Sequence, residues 1–286
     1  MNIQFAIKRL KQEKLSFKFI LSRIILRLNV KLPLTVKIDR ETESRIYLHP
    51  SPFPHKLFIK KNYFKSDNEI IKRFVREGDV VFDVGADLGA LSVMFSSLCG
   101  NSGKVFAFEP TKRTFRFLMD NIKLNKADNV FAVNAAVSEK DGEAAFIEHR
   151  YSHGLNYIDR MGAGTTNRVY TIRLDSFLKN HNLSKIDFLK IDVEGSELFI
   201  LESLGERLKN VKTIYFEFHP KNYQRAGYRP QDILNFLEKN NFEIFIPVQK
   251  EKEFKLVLFK KQPIYTEKLN LLAFNKNESK RTEEKN

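Results

Sequence analysis

From residue 66 onward, short apolar runs alternate with helical stripes, and this alternation limits what the chain folds into more than any other feature. Ser66 with Glu69 three residues later is a capping-box signature. Ile70, Ile71, Phe74 and Val75 then give the apolar face of a helix that stops before Gly78. Residues 80–84 form an apolar run, 88–98 a helix, and 105–108 a second run that closes on Glu109-Pro110. The spacing continues as helix over 111–125, strand over 130–133 and 186–191, helix over 196–208 and strand over 211–216. Strands that are apolar throughout are buried on both faces, and the intervening helices supply the crossovers. The expected fold is therefore α/β, with a mostly parallel sheet and helices on both faces. After a helix at 230–239, runs 242–248 and 254–259 are separated by too few residues for a helical crossover, so they are expected to pair antiparallel.

Ahead of that pattern the charge is lopsided. The 286 residues carry a net charge of +14, and residues 1–40 hold ten Lys and Arg against Glu13 and Asp39. Ile3, Ile7, Leu10, Phe17, Leu21, Ile24 and Leu28 recur there at helical spacing, which predicts a basic amphipathic helix. It either packs on the body of the protein or lies peripherally on an anionic membrane surface. Arg23 and Arg27 interrupt the apolar stretch, so neither a secretory core nor a membrane span is formed, and a cytoplasmic location is expected, at most peripheral to the inner membrane face. Cys99 is the single cysteine, which excludes a disulfide framework and multi-cysteine metal sites. The chain divides into a basic extension (1–40), a connecting or lid segment (41–65), a main domain (66–262) and a C-terminal tail (263–286) that is polar and disordered from about Asn275.

Asp83-Val84-Gly85-Ala86-Asp87-Leu88-Gly89 falls where the first parallel strand meets its helix, the edge at which open α/β sheets bind ligands. A dinucleotide loop would read G-x-G-x-x-G, and Asp87 stands at its second glycine position. No G-x-x-x-x-G-K-[ST] phosphate loop occurs, and Asp83 and Asp87 oppose a pyrophosphate, so the loop suits a cationic ligand. Glu109 closes the next strand, where a carboxylate accepts both hydroxyls of a ribose. Together these residues point to an adenosine ligand without phosphates.

Five segments in order now carry a resemblance: Val81-Phe82-Asp83-Val84-Gly85-Ala86-Asp87-Leu88-Gly89, Val105-Phe106-Ala107-Phe108-Glu109-Pro110, Asn134-Ala135-Ala136-Val137-Ser138, Leu174-Asp175-Ser176 and Ile186-Asp187-Phe188-Leu189-Lys190-Ile191-Asp192-Val193-Glu194-Gly195. Over residues 66–247 the chain resembles class I S-adenosylmethionine-dependent methyltransferases, and within them the FkbM-type family. The resemblance implies a Rossmann-like sheet, mostly parallel with its last strand antiparallel, to which the N-terminal helical extension is added. It implies S-adenosylmethionine as cofactor. Gly85, Ala86 and Gly89 would line its methionine part, Asp83 would lie near the amino-acid end, Glu109 at the ribose, Asn134 or Ala135 near the adenine, and Asp192 on the same edge. Asp87 departs from the asparagine this loop more often carries.

Methyl transfer from a sulfonium is an in-line displacement, for which alignment and water exclusion are worth up to ~7–11 kcal/mol. A hydroxyl acceptor further needs a general base or a divalent cation near the methyl group. Asp192 and Glu194 follow strand 186–191, and Glu217 and His219 follow strand 211–216. His219 or Asp192 is expected to take the proton, with Glu217 orienting the imidazole or supporting a cation. A structural role for the Glu-Phe-His run is the competing reading. Asp192, Glu217 and His219 form a ligand set by residue type alone. Residues 149–157 and 162–166 are either a lid suited to a polyhydroxylated acceptor or a surface insertion, and Phe53-Pro54-His55 and Tyr63-Phe64 are placed to cover the cofactor from the other side. The expected activity is O-methylation of a hydroxyl on a saccharide, a lipid-linked glycan or a secondary metabolite. N-methylation of a small molecule or RNA, and a membrane-tethered cofactor-binding module without activity, are the alternatives. Outside residues 1–40 and the tail the positive excess is small and no RNA-binding module is present, which argues against nucleic acid.

Overall fold

The structure is a computed structural model that describes residues 17–28, 33–59, 65–149, 156–160, 162, 167–250, 253–259 and 268–277. Its centre is an eight-stranded sheet. On one side stand β3 (Val80–Val84), β4 (Lys104–Phe108), β5 (Val130–Val133), β10 (Ile186–Ile191) and β11 (Val211–Phe218). They run parallel in the order β11-β10-β3-β4-β5. The helices that follow β3 and β4 are α4 (Ala90–Cys99) and α5 (Lys112–Asn125). The continuous apolar runs of the sequence are what burial on both faces requires. Phe82, Phe106 and Phe108 point to one face, where they surround Phe177 with ring centroids 5.1–5.7 Å apart. Val81, Val105 and Ala107 point to the other, against Met94, Phe95 and the buried thiol of Cys99.

β12 (Phe242–Lys250) and β13 (Glu253–Leu258) pair antiparallel as the spacing predicts. They do not abut β11, however. A further strand, β14 (Leu269–Asn275), lies between β11 and β12 and is antiparallel to both. Residues 269–275 therefore belong to the main sheet rather than to a tail, which corrects the boundary drawn at 262. The cause is burial: Leu271, Leu272 and Ala273 are fully enclosed, and the buried Asn275 amide donates to the carbonyls of Lys209 and Val211 at 3.0 and 3.1 Å. The expected disorder beyond residue 277 lies outside the described residues.

A second sheet follows β5, made of β6 (Ala136–Val137), β7 (Gly142–Ile147), β8 (Tyr157–Ile158) and β9 (Arg168–Ile172) in the order β6-β9-β7-β8. Most of the predicted lid, 150–155 and 163–166, is outside the described residues. At the N-terminal side, α1 (Phe17–Leu28) lies against α2 (Pro52–Ile59), with Ser22 and Ile25 buried. The predicted helix over residues 1–16 is outside the described residues. A short pair, β1 (Thr35–Lys37) with β2 (Arg45–Tyr47), is fastened to α5 because the backbone N–H groups of Arg45 and Tyr47 donate to Asn125 and Asn121, each at 2.9 Å. The described part of the connecting segment, residues 41–59, is thereby an integral wall of the fold. The next helix, α3 (Lys65–Phe74), completes that wall. Among the described residues no helix is long and apolar enough to cross a membrane.

Candidate active site

A cavity of about 530 Å³ opens at the carboxyl ends of β3, β4, β10 and β11. Its first half is built by the β3–α4 turn. Gly85 adopts φ 78°, and a Cβ there would collide with the carbonyl oxygen of Asp192, so the backbone turn is accessible to glycine and little else. Ala86, Asp87 and Ala90 continue the lining. Glu109, at the end of β4, accepts hydrogen bonds from the backbone N–H of Asp87 at 3.1 Å and of Thr111 at 2.9 Å. Burial, and then the charge of Asp87, push its carboxyl up to about 8. Burial raises Asp87 to about 6, and its Oδ1 has no hydrogen-bond partner among the described residues. Phe146, Asn156, Tyr157 and Ile158 of the second sheet close this half, with Asn156 Nδ2 donating to Thr111 Oγ1 at 3.3 Å.

Beneath the turn sits a buried cation. Lys190, next to the carboxyl end of β10, donates to the Gly85 carbonyl at 2.7 Å and pairs with Asp83 at 3.1 Å; Asp83 in turn accepts a 2.6 Å hydrogen bond from Ser92. This locks the glycine turn from below.

The second half is formed by β10, β11, β14 and α3. Asp192 lies 3.9 Å from Lys190. Glu194 accepts from Asn222, and its carbonyl accepts from Arg225 at 2.6 Å, a guanidinium that also stacks on Tyr157 at 3.8 Å. Glu217 pairs through Oε1 with Lys268, while its buried Oε2 has no partner among the described residues. Burial and the nearby Asp192 raise its carboxyl well above the usual range, and Lys268 opposes the rise. Tyr215, Asp67 and Asn270 complete the wall.

Residues 83–244 match the methyltransferase FkbM domain. The chain belongs to the FkbM methyltransferase family. As a member it is a methyltransferase, and its methyl donor is S-adenosylmethionine. Among its relatives, the hexuronic acid methyltransferase AglP of Haloferax volcanii is 26% identical over 179 residues, which cover 61% of this chain and 69% of that protein. Methyltransferase 1 of Beauveria bassiana is 23% identical over 197 residues, 61% of this chain and 78% of that one. A solved methyltransferase from Aquifex aeolicus is similar over 77% of this chain and 96% of its own, at 15% identity and a TM-score of 0.43.

The FkbM cavity fits a sulfonium cofactor. Six carboxylates (Asp67, Asp87, Glu109, Asp192, Glu194 and Glu217) and three lysines (Lys56, Lys190 and Lys268) line it, in a protein whose net charge is +14. The orphaned Asp87 oxygen is a further place for a donor or a positive group.

Of the residues singled out in the sequence, Gly85, Ala86, Glu109, Ala135, Asp192, Glu194 and Glu217 line this one cavity. Four others do not. Asp83 is fully buried below the turn and engaged by Lys190 and Ser92. Gly89 faces α5, where a Cβ would collide with Leu118. Asn134 donates to the carbonyls of Glu109 and Pro110 at 2.9 and 3.0 Å, holding the end of β4 in place. His219 stands at the start of α8 (Pro220–Ala226), off the lining of this cavity, with its Nδ1 buried and without a partner among the described residues. Among the described residues no three His, Cys, Asp or Glu side chains are arranged to hold a metal ion, so Asp192, Glu217 and His219 do not converge as a ligand set. Phe53 lines the cavity as expected, whereas Pro54 and His55 are buried behind it and Tyr63-Phe64 lie outside the described residues. Lys190, Tyr215, Asp67, Lys268 and Asn270 were not singled out. A lysine within a mostly apolar strand, as at 190, was the signal available for the first.

Proposed function

We propose that this chain is an S-adenosylmethionine-dependent O-methyltransferase acting on a hydroxyl of a saccharide or glycan-like acceptor. The observation that carries this reading is the division of one cavity. One half has a glycine turn beside a strand-end carboxyl, Glu109. The other has a buried carboxylate, Glu217, with one oxygen unmatched. In the first half Glu109 takes the ribose diol, and Gly85, Ala86 and Ala135 leave room for the rest of the cofactor. Lys190 acts from below as a positioning residue by holding the Gly85 carbonyl. When bound, S-adenosylmethionine supplies the electrophilic methyl group. Glu217 Oε2 then accepts the proton of the attacking hydroxyl, in place of His219, while Lys268 steadies the other oxygen. The saccharide assignment is supported by the Haloferax relative, named as a hexuronic acid methyltransferase.

The predominance of carboxylates in the cavity disfavours a nucleic acid acceptor, whose phosphates it would repel. It equally attracts an ammonium, which favours N-methylation of a small amine as the second reading; the mass and acid stability of the product separate the two. The exposed Ile24, Arg27 and Leu28 on α1, next to a strongly basic N-terminal segment, support a peripheral contact with an anionic membrane.

Calorimetric titration with S-adenosylmethionine tests the core of the proposal. Saturable binding is expected, weakened by about tenfold or more in Glu109→Ala through loss of a charge-assisted diol contact. Labelled methyl transfer to glycan extracts is the second step. Folded wild-type protein that binds no cofactor would refute the assignment.

A further inference from the structure

We propose that Tyr215, Asp67 and Asn270 form the specificity subsite for the acceptor, and that it takes an uncharged vicinal diol, that is, a neutral sugar and not a uronic acid or a phosphorylated one. The inference rests on the saccharide reading above and narrows it.

The three residues come from separate elements: Tyr215 from β11, Asp67 from α3 and Asn270 from β14, whose register sets Asn270 opposite Glu217. Tyr215 donates its hydroxyl to Asp67 Oδ1 at 2.5 Å, and Asn270 Nδ2 donates to the Tyr215 oxygen at 2.8 Å and to Asp67 Oδ1 at 3.3 Å. An ionised carboxylate only accepts, so the amide nitrogen of Asn270 must be the atom on that side, which turns its carbonyl oxygen the other way. That oxygen receives no hydrogen bond from a described residue. Close by, Glu217 Oε2 is buried and also unmatched. Two acceptors on adjacent strands, about 4.8 Å apart in a sheet, suit the two hydroxyls of a diol. Phe53, on the α2 wall of the same cavity, offers an apolar ring for the C–H face of a sugar.

Position agrees with this role. In the strand order β14-β11-β10-β3-β4, Asn270 and Glu109 are separated by four strand spacings, so the subsite lies beyond β10 from the half assigned to the cofactor. Charge decides between sugar classes. Asp67, Asp192, Glu194 and Glu217 face this half, and the two ammonium groups there are already engaged, Lys190 by Asp83 and Lys268 by Glu217. An incoming carboxylate or phosphate meets like charge without a vacant cation between these two, whereas a neutral diol meets acceptors.

The experiment uses the full chain with S-adenosylmethionine and two probes, methyl α-D-glucopyranoside and methyl α-D-glucopyranosiduronate, in wild type, Asn270→Ala, Tyr215→Phe and Asp67→Asn. Expected is methyl transfer to the neutral glycoside with KM raised about tenfold in the variants, the loss of one or two hydrogen bonds to a hydroxyl. The kcat and the calorimetric affinity for S-adenosylmethionine should change by no more than about threefold, a split that damage to the fold as a whole would not give. The uronate should show a KM about tenfold or more above that of the neutral sugar in the wild type. Wild-type KM for the neutral sugar in the variants, or a uronate used as well as the neutral sugar, would overturn the subsite. Bound cofactor with methyl transfer to neither probe would remove the saccharide reading and the subsite with it. Absent cofactor binding would instead count against the methyltransferase assignment of the cavity.

Discussion

Glu217 and His219 stand two residues apart, which on a continuing strand would put them on one face, but β11 ends at Phe218 and the backbone turns at His219 into the next helix. Glu217 turns into the cavity, and His219 caps the helix that follows. In the proposed reaction the proton goes to Glu217, a carboxylate that burial has made more basic, rather than to the imidazole. Glu217→Gln keeps the shape and a hydrogen bond to Lys268 but removes the base. Turnover should fall about a hundredfold or more while cofactor affinity stays within about twofold. Because burial raises the carboxyl of Glu217, its ionised form is gained as pH rises; wild-type turnover should climb through the neutral range and the Gln variant should lack that limb. A steady-state pH profile of both proteins checks this, and an identical profile in the variant would return the proton to another group.

At the level of elements, the parallel strands were legible because burial of most of β3, β4, β10 and β11 leaves near-continuous apolar runs with no competing period. β14 was not, although Leu271, Leu272 and Ala273 form such a run. Its neighbours in the sheet are β11 and β12 rather than its neighbour in sequence, and no local pattern carries that information. The same non-local step hid Asn270 and Lys268, whereas the glycine turn and Glu109 are readable from their place at strand ends. Leu272→Ala removes a fully buried side chain at the seam between the parallel and antiparallel halves. It should cost about 2–5 kcal/mol, read as a lowered midpoint in chemical denaturation. For α1, Ile25 is buried while Ile24 and Leu28 are 48% and 65% exposed, so one helix serves both packing and an outward apolar edge. Ile24→Glu with Leu28→Glu should abolish flotation with vesicles rich in anionic lipid while leaving the melting temperature near that of the wild type. Flotation that persists would assign α1 to packing alone.

Across the described residues, the buried charged side chains are mostly acidic: Asp39, Asp79, Asp83, Glu109, Asp187, Glu197 and Glu217 against Lys190. Glu197, fully buried at the start of α7 (Glu197–Glu202), is pushed up to about 8, by burial first. Its Oε1 has no partner among the described residues, and the Tyr228 hydroxyl is 3.5 Å from Oε2. A carboxyl raised in the folded state contributes stability that is complete below its unfolded value near 4.5 and is lost as pH climbs toward about 8. Glu197→Gln should therefore gain stability relative to wild type between about pH 5 and pH 8.5, by an amount on the order of a few kcal/mol. Parallel melting curves at the two pH values would contradict this. Glu109 and Asp87 share the direction of shift, so these two carboxyls add to the same slope.

The placement of β14 also sets an order of events during synthesis. The β12–β13 hairpin leaves the ribosome before the strand that joins it to β11, so until residues 269–275 emerge the parallel half ends in an open edge and the hairpin has no dock. Lys268 and Asn270 arrive with that same strand. The cofactor half of the cavity is thus encoded well before the acceptor half, and a nascent chain stalled before residue 268 should recognise the donor without having a place to send the methyl group.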